Sequence, residues 1–435
     1  MAGEKELFNN LWVLISGALV FTMTISVGLL EIGELGEDHK RSLLKTMLIT
    51  CSAFFFMALV GFNIAFAPCI NGLIGNPTYN GPFLGGFSTE AYSVFKGVWW
   101  SMTPNYFNTG ITLPTYFFFE VAFASVTLAL VGVVVLRKVK LEAFFLFSVV
   151  YFIILWNLPA AWIWNPTGWL YNIGVRDFAG GLVVHGAAGA AGLGIVLQVW
   201  REEKRKGLKE SPRVPLNPKP GWLAISIVLL WLGWFGFNSG STWALNLEAQ
   251  IVVLTTFLAA SSALLSTMFF RYLMTKENPD LVCAVNGILM GLIVITPLAG
   301  FVSPASAVVL GLIAGPLFLL SEKLFSKFRW FSDPVGLFSG HMIGGLFGLS
   351  MIAFFTQQPS AADAGSPSLP NGLLFGGGYP ALQQLGTELL GTATVMVTVF
   401  ALSFATMWAV GLILHGTTTD YKKEGLTEEN QEKST

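Results

Sequence analysis

Of the four histidines in the chain, His39 and His415 fall at the ends of apolar stretches, whereas His185 and His341 lie inside them. An imidazole is costly to hold among apolar side chains, and there it offers a donor, an acceptor and a relay for a proton. The surroundings of the two match. Asp177-Phe-Ala-Gly-Gly-Leu-Val-Val-His185 is followed by Gly189 and Gly192, and Asp333-Pro-Val-Gly-Leu-Phe-Ser-Gly-His341 by Gly345 and Gly348. Both read D-x7-H-x3-G-x2-G. A lone histidine of this kind reads as a packing residue bonded to a nearby carbonyl; two in equivalent motifs read as a functional pair. Glycines at i, i+3 let backbones approach closely, enough to bring the imidazoles together. A metal would want a third and fourth donor, and neither H-E-x-x-H nor a cysteine cluster is present: Cys51, Cys69 and Cys283 are scattered. No G-x-S-x-G elbow or nucleophile–base pair points to hydrolysis. We therefore expect no enzyme, no metal and no cofactor.

The elements that must position these residues follow from composition. The 435 residues are 54% hydrophobic and only 11% charged, against about a quarter charged in an ordinary soluble domain. A soluble fold is excluded, and a net charge of −1 without a basic face excludes nucleic acid. With about 20 apolar residues per bilayer crossing, the chain divides into eleven spans. They lie near 10–31, 43–67, 115–136, 141–163, 178–200, 221–239, 248–271, 280–300, 303–322, 335–355 and 387–414. The first is too long for a signal-peptide core and lacks a basic leader, Lys5 standing between Glu4 and Glu6, so it reads as a retained helix. Twenty-one of the 24 Lys and Arg residues fall in alternate loops and the tail; only Lys5, Lys96 and Arg176 fall on the other side. That segregation puts the amino terminus outside and the carboxyl terminus in the cytoplasm. The expected organisation is an all-α integral membrane domain over 1–415 and a short cytoplasmic tail over 416–435. The loops at 68–112 and 356–385 are too short for a second domain, and Trp99 and Trp100 in the first read as interfacial anchors. The charged loop at 201–219 reads as a solvated orientation signal, with a partner-docking site as the other reading.

His185 then belongs to the fifth helix and His341 to the tenth. Five is odd, so the two halves, about 10–200 and 221–355, would enter the membrane from opposite faces as a five-plus-five inverted repeat, with the eleventh helix outside it. Each histidine follows its aspartate by eight residues, about 12 Å of helix. Measured from opposite faces of a core of about 30 Å, both reach the midplane as neighbours.

The segment from Asp177 to His185, continued by Gly-Ala-Ala-Gly, closely resembles the signature of the Amt ammonium transporters. Phe235-Gly-Phe237-Asn-Ser-Gly-Ser241, Asn286-Gly-Ile-Leu-Met-Gly-Leu-Ile-Val-Ile-Thr296 and the Asp333–His341 segment match in order, and the likeness runs from the first helix to the eleventh. Trp164, Ser241 and Asp-Phe-Ala-Gly-Gly favour the Amt branch over the Rh branch. The resemblance implies a homotrimer in the plasma membrane, each protomer with a narrow pore lined at mid-membrane by His185 and His341. Two stacked phenylalanines, matching Phe123 and Phe237, would close its outer mouth. The family's outer recruitment site maps to Phe119, Phe123, Trp164 and Ser241; Asp177 matches its essential outer aspartate, and Asp333 is the counterpart in the second half.

The residue types suit such a function. Aromatic faces attract a partly desolvated cation, a serine hydroxyl accepts one of its protons, and a nearby carboxylate concentrates it. The implied activity is ammonium transport: recruitment outside, loss of a proton near the mouth, passage of ammonia between the histidines, and the proton following through the pair, which is electrogenic. Methylammonium as a second substrate stays open. The alternatives are a sensor that binds ammonium but barely conducts, and Rh-like electroneutral ammonia conduction. Many bacterial and archaeal Amt proteins are plugged from the cytoplasm by PII signalling proteins; the tail, with Glu424-Gly-Leu426 but short of the family's full ending, leaves room for such a regulator without requiring one. Other departures are Leu136-Arg137-Lys138 after the third helix, Ala161 in place of a histidine, and Asn238-Ser239 in place of Asn-Ala. Glu120 stands where the family usually has Gln. It reads either as a carboxylate hydrogen-bonded at a helix interface, or as an added cation attractor or proton acceptor.

Overall fold

The computed structural model describes residues 2–79, 110–208, 211, 217–328, 333 and 335–424. Among them eleven helices are long and apolar enough to cross a membrane. They are α1 (Gly3–Leu35), α2 (His39–Phe66), α3 (Leu113–Gly132), α4 (Leu141–Ile163), α5 (Gly181–Arg205), α6 (Pro220–Gly240), α7 (Leu247–Thr275), α8 (Leu281–Leu298), α9 (Pro304–Phe325), α10 (Leu337–Phe355) and α11 (Gly378–Ile413). Each matches one of the eleven spans read from hydropathy. The helices α1 and α11 begin well before their apolar stretches, because polar first turns extend a helix without adding to hydropathy. Lys96, Trp99, Trp100, Lys209, Arg213, Arg329 and the tail from Gly425 onward lie outside the described residues.

An apolar segment in lipid must satisfy its backbone internally, which selects helices, and short polar side chains mark where they start. Asp38, Asn246, Asp280 and Ser303 accept the amide hydrogen of the residue three further on, at 3.0, 2.9, 2.8 and 3.3 Å, opening α2, α7, α8 and α9. Outward positions carry exposed apolar side chains such as Val228, Leu265 and Val397, a surface suited to hydrocarbon. After α11 the chain folds back on α5, where Thr417 and Thr418 donate four hydrogen bonds, from backbone and hydroxyl, to the Glu202 carboxylate.

Packing is closest between α1 and both α3 and α6, between α7 and both α8 and α9, and between α5 and α11. At the centre α5 and α10 pack reciprocally: Gly181–Gly186 lies against the body of α10, and Leu337–Met342 against the body of α5. Three of the motif glycines sit at these approaches, and the fourth, Gly348, lies where α10 meets α8. A Cβ on Gly345 would stand 2.2 Å from the Gly181 carbonyl oxygen and 3.0 Å from the Cβ of His185; one on Gly189 would stand 2.5 Å from the Cβ of Met342. On Gly192 and Gly348 it would meet Leu337 at 2.6 Å and the Val294 carbonyl at 2.2 Å.

Because the obstacle at Gly345 is backbone, Gly345→Ala is expected to cost about 1–3 kcal/mol by overpacking and to lower the melting midpoint of the detergent-solubilised protein. Gly221→Ala, with no atom within 4 Å of the added carbon, serves as control; equal midpoints for the two variants would refute the close-approach role.

Candidate functional site

Each motif aspartate opens the helix that carries its histidine. The Asp177 carboxylate accepts the amide hydrogens of Gly180 and Gly181 on Oδ1, at 2.9 and 2.7 Å, and of Leu182 and Val183 on Oδ2, at 2.8 and 2.9 Å. Asp333 accepts from the Phe338 amide at 3.0 Å and from the Ser339 amide and hydroxyl, both at 2.8 Å. These are amides with no partner within their own helix, and a carboxylate suits the positive end of the helix dipole. The turn between aspartate and helix passes through Gly180 and Gly336 at φ of +115° and +70°, a conformation that favours glycine. The first helical turn is wide in both cases: the His185 and His341 amides donate to the Gly180 and Gly336 carbonyls, five residues back, at 3.0 Å each. Such widened turns recur at functional sites. The rise of about 12 Å assumed unbroken helix from each aspartate. The cap turn interrupts it equally in both segments, so the histidines keep equivalent positions.

The two rings meet. Nδ1 of His185 lies 3.1 Å from Nδ1 of His341, with ring centroids 5.1 Å apart. Trp234 and Phe237 of α6 lie nearly parallel to the His185 ring, at 5.6 and 5.9 Å, and the Trp234 indole is pinned by donating to the Thr296 hydroxyl at 3.0 Å. The histidines border a chamber of about 10 Å³ walled by Val27, Leu30, Val126, Leu130, Val184, Leu230 and Leu289, room for about one water-sized molecule. One hydrogen bridges two Nδ1 atoms. The ring that donates it has a bare Nε2, and the ring that accepts it carries its hydrogen on Nε2, so the pair offers one acceptor and one donor. The Nε2 of His185 is buried and has no hydrogen-bond partner among the described residues.

Phe237 also touches Phe123, at 4.3 Å between centroids and 32° between planes. Phe119 lies 4.7 Å from Phe123, and Trp164 stands edge-on to it at 5.9 Å. Beyond these rings is a cavity of about 520 Å³, bordered by Tyr116, Phe119, Glu120, Phe123, Trp164, Ser241, Trp243 and Asp363. The Ser241 hydroxyl donates to the Phe237 carbonyl at 3.0 Å, which leaves its lone pairs to accept. The Trp164 indole donates to the Asp177 carbonyl at 2.8 Å, joining the cavity wall to the α5 cap. Phe119, Phe123, Trp164 and Ser241 thus share one wall, and Phe123 and Phe237 stand between cavity and chamber. Asp177 is 5% exposed and engaged with four amides. Burial pushes its carboxyl, and that of Asp333, above the ordinary aspartate range, against the pull of those amides.

A model of the Ammonium Transporter Family matches residues 11–433. The chain belongs to that family. It is 32% identical to an ammonium transporter of Aquifex aeolicus over 87% of this chain and 82% of the relative. A solved sensor Amt protein shares the fold, with a TM-score of 0.81, 24% identity and 98% of each chain covered. So does Mep2 of Saccharomyces cerevisiae, at 0.79 and 25%, over 95% of this chain and 90% of that one. These neighbours agree with the Amt branch.

Trp234, Trp243 and Glu388 are among the residues at or beside the site of this ammonium transporter family member that were not marked in the sequence. Trp234 precedes Phe237 by one helical turn, but with 14 tryptophans in the chain that spacing carried little weight. Trp243 packs on Tyr116 and Phe119 at 4.9 and 5.1 Å and holds φ at +58°, a genuine outlier for so bulky a residue. Glu388 on α11 accepts the Arg176 amide at 3.0 Å and the Gln384 amide at 2.6 Å, bracing the segment before Asp177; nothing local announces it.

The hydrogen bonds of Asp177 make a specific expectation for Asp177→Asn. An amide has one accepting oxygen and turns its NH₂ toward donors, leaving buried N–H groups unsatisfied at about 1–3 kcal/mol each. Asp177→Asn should therefore lower the melting midpoint in detergent by several degrees; a carboxylate that merely attracted cations would leave that midpoint unchanged.

Proposed function

We propose that the protein carries ammonium nitrogen across the plasma membrane by separating ammonia from its proton at the aromatic mouth and reuniting them beyond the histidine pair. The observation that carries this reading is the 3.1 Å contact of two imidazoles bordering a water-sized apolar chamber. An intact cation in that chamber would lose its hydration for largely apolar walls, at several kcal/mol or more. Ammonia would not.

In this reading ammonium is recruited at Phe119, Phe123, Trp164 and Ser241, where π faces contribute about 1–2 kcal/mol each once the ion is partly desolvated. It releases a proton, and ammonia slips past Phe123 and Phe237. Within the chamber a bare Nε2 of one imidazole accepts an N–H, and the Nε2–H of the other donates to the nitrogen lone pair. The same pair relays the proton: one Nε2 takes it up, the bridging hydrogen shifts across Nδ1···Nδ1, and the other Nε2 gives up its hydrogen. Charge moves by one proton and the two tautomers exchange. Asp177 and Asp333 serve as positioning residues that aim the histidine-bearing turns. The proposal includes an inverted repeat with the amino terminus outside and the carboxyl terminus in the cytoplasm; equivalent caps, turns and glycine contacts around His185 and His341 support it. A homotrimer, and a cytoplasmic PII-type partner as regulator, come with the family.

Solid-supported-membrane recordings on proteoliposomes test this reading. Ammonium jumps should evoke a sustained current that potassium jumps do not. Replacing His185 and His341 together by leucine should abolish it, and an unchanged current would rule out the relay. A brief binding transient in the unmodified protein would point instead to a sensor, and uptake without charge movement to electroneutral conduction.

A further inference from the structure

We propose that Glu120 is the anionic partner of the arriving ammonium ion, completing the aromatic cavity as a cation site. Glu120 follows Phe119 on α3 and precedes Phe123 by three residues, is 2% exposed, and borders the 520 Å³ cavity together with those two residues, Trp164 and Trp243. The Tyr116 hydroxyl, one helical turn earlier, donates to it, yet Oε2 has no hydrogen-bond partner. Among the described residues no Lys, Arg or His pairs with it.

Two other buried acids of the helical region, Glu31 and Glu202, are compensated, whereas Glu34 and Glu248 also keep a carboxylate oxygen without a partner among the described residues. Glu31 pairs with Lys45, and Glu202 takes four hydrogen bonds from Thr417 and Thr418. A carboxylate removed from water is expensive unless a charge or enough donors replace the solvent. Glu120 has one donor from the protein and π faces around it, and π faces attract cations rather than anions. A cation seated in the cavity meets both requirements at once: its charge faces the carboxylate and the rings, and its N–H groups are offered to the carboxylate and the Ser241 hydroxyl. Such a carboxylate attracts potassium as well, so Glu120 sets affinity, while discrimination falls to the apolar chamber beyond Phe123 and Phe237. A carboxylate serving only as a helix-interface hydrogen bond would be replaced by glutamine without consequence, since the carboxamide still accepts from Tyr116.

This inference rests on the transport reading for its current, so two quantities are measured on full-length protein in proteoliposomes with ammonium chloride jumps: the fast binding transient and the sustained current. Glu120→Gln is expected to raise half-saturation of both about tenfold or more and to leave the maximal current within about twofold. Glu120→Asp, which keeps the charge, should fall between Gln and the unmodified protein. Unchanged half-saturation in Glu120→Gln, or equal shifts in the Gln and Asp variants, would overturn the assignment. If the unmodified protein gives only a transient, the transport reading fails, and a tenfold weaker transient in Glu120→Gln still upholds the cation site.

Discussion

Two imidazole nitrogens 3.1 Å apart, bordered by aliphatic side chains, are the contact around which the molecule is arranged. A polar ring in such surroundings must find a hydrogen-bond partner, and here each ring finds the other. That mutual satisfaction requires two helices to cross with their first turns pressed together. It accounts for Gly189, Gly192 and Gly345, whose absent side chains leave room for Met342, Leu337 and the Gly181 carbonyl, while Gly348 makes room for the Val294 carbonyl of α8. It accounts equally for the aspartates, which hold the free amides of those turns and so set where each histidine points.

The succession of spaces beside this contact explains how a small cation and a small neutral molecule can be treated differently. The larger cavity, about 520 Å³, is rimmed by aromatic rings, a hydroxyl and carboxylates, groups that suit a cation. The chamber, about 10 Å³, is lined by aliphatic side chains, by Trp234 and Phe237 and by the histidines, and offers an ion little to replace its hydration. Phe123 and Phe237 divide the two, so the change of environment takes place across the thickness of two rings. Family membership supplies ammonium as the species to which this contrast applies.

Much of this was legible in the sequence because membrane solvation leaves few choices. Eleven apolar stretches became eleven helices, since lipid offers backbone groups no other partner. His185 and His341 stood out because polar residues in apolar spans are rare, and Phe123, Phe237, Phe119, Trp164 and Ser241 were placed through motifs rather than through their own chemistry. Trp234, Trp243 and Glu388 were not legible. An aromatic ring in an aromatic-rich chain carries no signal of which neighbour it faces, and a glutamate in α11 gives no hint that its partners are the Arg176 amide and Gln384.

The sequence alone determined the number of helices, the pairing of two histidine motifs and the glycines between them, because hydropathy and residue spacing are local properties of a chain in lipid. Only the tertiary structure decided that the aspartates serve as helix caps, that the imidazoles meet through Nδ1, and that Glu120 borders the aromatic cavity without a cationic partner among the described residues. Each of these depends on where side chains from different helices point, and that direction is set by packing between elements distant in sequence.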